Sequence, residues 1–196
     1  MMVDVDDAAA TEEHLARVIG ELCDRPSDLA EATKLSAESG LYAWWAPCAV
    51  FPDLPGHPNP AEPGVRLLYL GKATRLRTRI VSNHLARSGS STLRRTLAGL
   101  LLTQESYRTR WTDRVVLVPD DENRLTAWMH KHLYLTTVHH PAPRTIERQL
   151  IERLKPPLNI EGATNGTARM TVQSTRRAYY DSAGPRPETP DLRRPA

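Results

Sequence analysis

A glutamate and an asparagine lie twelve residues apart in the sequence, and both side chains are of types that can take part in chemistry. Glu147 stands at the edge of an apolar helical stripe, so its carboxylate can be partly buried and still reach a cleft. Asn159 follows Pro156, which ends the helix and fixes an extended exit from it. A carboxylate in this position can hold one Mg²⁺ or Mn²⁺ as a hard oxygen ligand. Considered alone, such a pair is more often a surface glutamate and a loop asparagine.

The elements that must position this pair follow from the periodicity of the apolar residues. Ile146, Leu150 and Leu154 share one helical face, which predicts a helix that ends near Leu154. Two β-rich stretches, 41–46 and 65–70, predict antiparallel strands joined by an irregular loop that contains six prolines. Further helices are expected over residues 11–23, 27–38, 74–87 and 120–132 and from residue 92, and further strands over residues 111–118 and 133–138. These elements predict an α/β (α+β) fold in which a small central antiparallel β-sheet is flanked by helices, with extra helices at the N-terminus.

Composition bounds the class of protein and points to a polyanionic partner. The 196 residues suit one domain with its own core, and no apolar run is long enough to span a membrane. The acidic N-terminus argues against a secretory signal, and Cys23 and Cys48 are expected to be reduced thiols in the cytoplasm. Residues 1–40 carry ten acids against three bases, whereas residues 64–114 carry eleven bases against two acids. Such a basic block suits nucleic acid, although a solvated arginine-rich helix face has the same composition.

Short motifs in a fixed order turn these separate features into one pattern. The first strand opens with Gly40-Leu-Tyr42, and the second closes with Tyr69-Leu-Gly71 followed by Lys72. The next helix carries Arg79 and His84, and the chain then supplies Glu147 and Lys155-Pro-Pro-Leu-Asn159. This order, from about residue 40 to residue 159, resembles the GIY-YIG nuclease family, with leucine in place of isoleucine in both tripeptides.

The resemblance implies an endonuclease that hydrolyses phosphodiester bonds in DNA with one Mg²⁺ or Mn²⁺ ion bound by Glu147. Arg79 would bind the scissile phosphate through its planar guanidinium, and Asn159 would fix Glu147 or a tyrosine by hydrogen bonding. One tyrosine would position or deprotonate the attacking water, and the sequence leaves open which one. An ordinary phenol is a poor base at neutral pH, so a nearby cation must lower its pKa. The implied catalytic residues are Tyr42, Tyr69, Arg79, His84, Glu147 and Asn159.

The basic residues are expected to bind the nucleic acid, with DNA as the partner and RNA still open. The candidates are Lys72, Arg75, Arg77, Arg94 and Arg95. A module that keeps the fold but binds without cutting is one alternative, and a protein that binds another polyanion is a second. Specificity would come from the 47–64 loop, the arginine helices, the tail, a homo-oligomer or a partner protein. No membrane partner is expected.

The sequence divides into three parts. Residues 1–39 form an acidic helical extension, residues 40–165 the nuclease-like domain, and residues 166–196 a basic Pro/Arg-rich tail that is predicted to be partly disordered. In the tail, Arg176-Arg177 and Tyr179-Tyr180 could form a stacking and phosphate-binding arm or pack on the domain. Four histidines between residues 130 and 140 raise the question of a zinc site, but the two on the predicted helix diverge and no cysteine joins them.

Overall fold

The centre of the fold is a four-stranded antiparallel sheet. The computed structural model describes the backbone of residues 5–160 and 166–187 and the side chains of residues 11–160 and 166–187. The strands are β1 (Ser27–Asp28), β2 (Gly40–Pro47), β3 (Val65–Ala73) and β6 (Tyr134–His139), in the spatial order β1-β6-β2-β3. A separate two-stranded sheet consists of β4 (Thr109–Trp111) and β5 (Val115–Leu117). The predicted antiparallel pairing of the first two long strands is confirmed, and β3 lies at the edge of the main sheet.

Helices cover both faces of the main sheet, as the α+β prediction requires. They are α1 (Val5–Leu22), α2 (Thr92–Leu100), α3 (Pro119–His132), α4 (Pro143–Leu154) and α5 (Thr167–Asp181), with a π-helix at Thr78–His84 and 3₁₀ turns at Leu29–Lys34 and Ser88–Ser90. Alternate residues of β2 point to opposite faces. Tyr42 and Trp44 join a core with the π-helix, α2, α3 and α5, whereas Leu41 and Trp45 join a second core with α1 and α4.

Both motif glycines lie where a side chain would collide with neighbouring atoms. Gly40 and Gly71 lie on β2 and β3, and a Cβ atom on Gly40 would be 2.3 Å from the carbonyl oxygen of Val138. A Cβ atom on Gly71 would be 2.5 Å from the hydroxyl of Tyr42, its cross-strand partner. The second glycine therefore makes room for a tyrosine of the candidate site.

Five predicted elements differ from the structure. Ser27 and Asp28 pair with β6 and are followed by a 3₁₀ turn, so residues 27–38 are not one helix. The strand predicted over residues 111–118 is instead the β4–β5 hairpin. The segment predicted as an ordinary helix over residues 74–87 contains the π-helix, and α1 begins at Val5, earlier than the predicted residue 11.

The fifth difference lies in the C-terminal part. Residues Thr167–Asp181 were expected in a tail, but they form α5, which buries Val172 and Tyr179 in the core that also contains Tyr42. Disorder is predicted from the sequence for residues 1–9 and from residue 184, but residues 5–9 belong to α1, so that part of the prediction is wrong. Residues 1–4 and 188–196 lie outside the described residues. Among the described helices, none is long and apolar enough to cross a membrane.

Candidate active site

The π-helix places Arg79 and His84 on the same side of the main sheet. These residues are five positions apart, which would separate them by about 140° around an α-helix. The wider π turn is marked by a 2.9 Å hydrogen bond from the amide of Leu85 to the carbonyl of Ile80. Such turns are rare and recur at functional sites. Here the turn directs both side chains toward Tyr42.

A continuous chain of hydrogen bonds runs through the buried centre of the site. The hydroxyl of Tyr42 lies 2.8 Å from Nε2 of His84, and Nδ1 of His84 lies 2.7 Å from the hydroxyl of Ser91. Ser91 also caps α2 by accepting a hydrogen bond from a backbone amide. Arg79 donates from Nε to the Tyr42 hydroxyl at 3.1 Å and from Nη1 to the Ser90 carbonyl at 3.1 Å. The helix cap and the π-helix therefore fix the orientation of one tyrosine.

The electrostatic environment keeps the two tyrosines and His84 neutral. This is contrary to the expectation that a nearby cation lowers the pKa of a phenol. Burial raises the pKa of both Tyr42 and Tyr69, and the Arg79 cation offsets only part of that rise. Burial, followed by the positive charges of Arg79 and Arg94, lowers the pKa of His84 well below its ordinary value. At neutral pH the two tyrosines are protonated phenols and His84 is a neutral imidazole. Their geometry suits hydrogen bonding and orientation of a reactant.

The carboxylate lies in a cleft at the edge strand β3, which we call the carboxylate cleft. Its volume is about 320 Å³, and its lining includes Tyr69, Lys72, Glu147, Asn159 and Arg176. The ammonium of Lys72 contacts Oε2 of Glu147, and the Glu147 side chain keeps 19% of its surface exposed. Thus Glu147 is balanced by a cation and still reaches the cleft. Tyr69 opens on this cleft, whereas Tyr42 is 1% exposed behind it.

Asn159 does not bond to Glu147 or to either tyrosine, so that prediction was wrong. Its Oδ1 accepts a hydrogen bond from the amide of Leu70 at 2.9 Å, and its Nδ2 donates to the carbonyl of Leu70 at 2.7 Å. The amide of Leu158 donates to the carbonyl of Leu68 at 3.0 Å. Asn159 therefore pairs with backbone polar groups on the outer edge of β3, as a neighbouring strand would. Through this backbone it holds Tyr69 in place.

A second cavity adjoins the carboxylate cleft, and Lys72 lines both. We call it the arginine cavity. Its volume is about 530 Å³, and its lining includes Lys72, Arg75, Arg79 and Arg144. Sequence reasoning missed Arg144, although it lies three residues before Glu147 on the same helix, a spacing that places side chains on one face. Arg176 was also missed as a cleft residue, because the α5 segment was interpreted as a tail.

The structure places the five predicted nucleic-acid contacts in different environments. Lys72 and Arg75 line the cavities, and Arg77 is exposed outside both. The side chain of Arg94 is fully buried and forms an ion pair with Glu122 at 2.9 Å, so this prediction is corrected. Arg95 is half-buried and donates to the carbonyl of Ser88 at 2.7 Å. An arginine at a helical position looks exposed in sequence, but Glu122 on α3 turns Arg94 inward.

The donor set of the carboxylate cleft fits one hard divalent cation. Mg²⁺ is usually held by one or two carboxylates, with water and substrate phosphate completing the octahedron. Glu147 supplies one such carboxylate beside open space. Among the described residues, no group of three or more His, Cys, Asp or Glu side chains is arranged to hold a metal. That finding gives no support to zinc at the four histidines, of which His140 instead approaches His14 with 2.9 Å between their Nε2 atoms.

Comparison with known proteins agrees with the fold. A family model described as the GIY-YIG catalytic domain matches residues 40–178. Because this match covers well over half of the chain, the protein belongs to the GIY-YIG family, and the family points to nuclease activity. The matched region includes α5 as far as residue 178, beyond the predicted domain end at residue 165. No significant match was found among curated proteins or among solved structures.

Proposed function

We propose that the protein is a divalent-metal-dependent endonuclease that hydrolyses phosphodiester bonds in DNA by a one-metal mechanism. The observation that carries this proposal is the position of Glu147, which opens beside Lys72 and Tyr69 into one cleft at the sheet edge. A single carboxylate with cationic neighbours suits a phosphate ester and one metal ion. It does not suit a two-metal clamp, which needs several bridging ligands.

Each side chain has a role that follows from its surroundings. Tyr69 faces the cleft as a neutral phenol, so it orients the attacking water by hydrogen bonding. Arg79 and His84 hold the hydroxyl of Tyr42 between them and keep the tyrosine pair rigid. Lys72 contacts Glu147 and can transfer its contact to a phosphate oxygen of the substrate. Such preorganised donors stabilise the charge that develops on a phosphate during reaction.

Glu147 is the residue that would hold Mg²⁺ or Mn²⁺. When bound, such an ion lowers the pKa of a coordinated water and neutralises charge on the phosphate. This contribution complements the protein side chains, because neither tyrosine is acidified enough to act as a strong base. Metal dependence is therefore a central expectation of the proposal.

A cleavage panel tests the proposal. Supercoiled plasmid, single-stranded DNA, branched DNA and RNA are incubated with Mg²⁺, with Mn²⁺ or with chelator. Wild type should cut at least one DNA form only with metal, and Glu147→Gln should lose at least about 100-fold in rate, since the only proposed ligand is removed. Glu152→Gln is the matched control, because Glu152 lies on the same helix, is 49% exposed and faces Arg148. Metal-independent cutting, full activity of Glu147→Gln, or no cutting of any substrate would reject the proposal.

The same panel separates the remaining alternatives. Salt-dependent binding without turnover would indicate a non-cleaving nucleic-acid-binding module. Preferred cutting of RNA would reassign the substrate.

We place the enzyme in the cytoplasm, where its two unpaired cysteines would stay reduced. We also propose that sequence or structure specificity requires a homo-oligomer or a partner protein, which sedimentation with and without DNA would test.

A further inference from the structure

The arginine cavity concentrates positive charge beside the carboxylate cleft. Four segments supply its cations. Lys72 lies near the end of β3, Arg75 and Arg79 lie in the turn and the π-helix that follow, and Arg144 lies in the first turn of α4. Within the described chain, no aspartate or glutamate is among the residues that line this cavity. Its volume of about 530 Å³ falls in the range of ligand-sized sites.

The outer cations of this cavity are not occupied by neighbouring carboxylates. Arg75 and Arg144 are exposed, and neither forms a salt bridge with another described residue. By contrast, Arg148 and Arg153 on the same helix as Arg144 pair with Glu152 and Glu12. A cluster of unneutralised guanidinium groups is electrostatically unfavourable unless an anion joins it. The planar groups also match the geometry of phosphate oxygens.

The other walls fit the remaining parts of a nucleotide. Pro141, Ala142 and Pro143 form an apolar wall, and Ser39 and Asn83 add polar groups. The first turn of α4 contains no acidic residue, so its backbone amides add a weak positive potential to that of the arginines. The mixture of cations, hydrogen-bonding groups and apolar surface suits a phosphate attached to a sugar better than a free inorganic ion.

We propose that the arginine cavity binds the nucleotide that flanks the scissile phosphate, with Arg75 and Arg144 contacting its phosphate. The DNA strand passes from the carboxylate cleft over Lys72, which lines both spaces, into the arginine cavity. This inference rests on the proposed nuclease function. It adds a substrate subsite and assigns Arg144, on the same helix as Glu147, to substrate binding.

Matched charge removals test the subsite. Arg75→Ala and Arg144→Ala are compared with Arg87→Ala and Arg148→Ala, which remove the same charge from exposed residues outside both cavities. DNA binding is measured as a function of salt in the Glu147→Gln background, so that no cutting occurs. Each cavity variant should weaken binding about three- to tenfold and reduce the salt slope by about 0.9 on duplex DNA or about 0.7 on a single strand. The two controls should leave the slope unchanged.

Substrates with a single neutral methylphosphonate locate the contact. In wild type, the substitution should weaken binding when it lies next to the cleavage site on one side. In Arg144→Ala the same substitution should weaken binding by a smaller factor, because one of the two arginine–phosphate contacts is already lost. Equal behaviour of cavity and control variants on every substrate would overturn the subsite. Failure of the proposed function is a separate result, in which wild type binds DNA without cutting it. The salt slopes would then still show whether the arginine cavity binds the DNA. Absence of all DNA binding would reject both the nuclease function and the subsite.

Discussion

The side-chain amide of Asn159 pairs with both backbone polar groups of Leu70, the residue that follows Tyr69 on the edge strand β3. Through this pair, a residue on the exit from α4 controls the position of a tyrosine without touching it. The helix that supplies Glu147 and the strand that supplies Tyr69 are thereby joined at a fixed distance. Asn159 therefore affects Tyr69 only by fixing the backbone position of Leu70, because its hydrogen bonds connect side chain to backbone.

Removal of this pair should lower stability. Asn159→Ala leaves the buried amide and carbonyl of Leu70 unpaired, which should reduce the free energy of unfolding by about 1–3 kcal/mol. Urea denaturation measures the change. Asn123→Ala, at an exposed position of α3, should alter stability by less than about 0.5 kcal/mol. Equal stability of the two variants would show that water replaces the amide of Asn159.

Gly71→Ala should damage the site more than its small size suggests. The new methyl group would lie 2.5 Å from the hydroxyl of Tyr42, so the tyrosine must shift and its hydrogen bond to His84 is disturbed. Overpacking should reduce stability by about 1–3 kcal/mol, and a displacement of about 1 Å in a catalytic group should lower the cleavage rate about 100-fold. Gly20→Ala is the control, since the space around Gly20 is open. Wild-type cleavage by Gly71→Ala would contradict the tight packing of Tyr42.

Arg94→Ala distinguishes a buried structural arginine from a DNA contact. Loss of the guanidinium leaves Glu122 without its buried partner, and breaking such a pair should reduce stability by about 3–5 kcal/mol. Arg148→Ala breaks an exposed pair on α4 and should change stability by no more than about 1 kcal/mol. Thermal unfolding compares the two variants. A stable Arg94→Ala protein with weakened DNA binding would restore the interpretation of Arg94 as a surface contact.

The buried His84 predicts a fall in stability at acid pH. An unfolded histidine takes up a proton near pH 6.5, whereas the lowered pKa of folded His84 resists protonation. The unfolded state therefore binds more protons below about pH 6.5, and stability should decrease there by up to about 1.4 kcal/mol per pH unit. At higher pH, the titration of His84 should make no contribution to the pH dependence of stability.

Comparison with a variant isolates the contribution of His84 from those of other histidines. Burial also lowers the pKa of His132 and His140, and these residues remain in His84→Gln. Denaturation of both proteins between about pH 8 and about pH 5 should show a shallower decline in the variant. Parallel curves would mean that the pKa of His84 is the same in the folded and unfolded states.

The sequence was most informative where the signal is local. The tripeptides around Tyr42 and Tyr69, the stripe beside Glu147 and the stop at Pro156 are each specified by neighbouring residues, and the strands and α4 lie close to their predicted positions. The order of these motifs also indicated the family. Local periodicity was sufficient for these elements because tertiary packing agrees with it.

Features that depend on distant partners could not be predicted in the same way. Arg94 is buried because Glu122 meets it from another helix, and Asn159 bonds to Leu70, which lies far away in sequence. The π-helix has no established composition signal, since it differs from an α-helix by one position in its hydrogen-bond spacing. The helix α5 did have a signal, because Val172 and Tyr179 are seven residues apart on one helical face, but polar neighbours obscured it.

The placement of Arg176 on α5 has a consequence for protein synthesis. A chain leaves the ribosome N-terminus first, at about 5–20 residues per second. The strands with both tyrosines emerge well before α5, which supplies part of the wall of the carboxylate cleft. A nascent chain that ends before α5 therefore lacks Arg176 and the burial of Tyr179 in the core. The complete cleft can therefore assemble only after α5 has been synthesised.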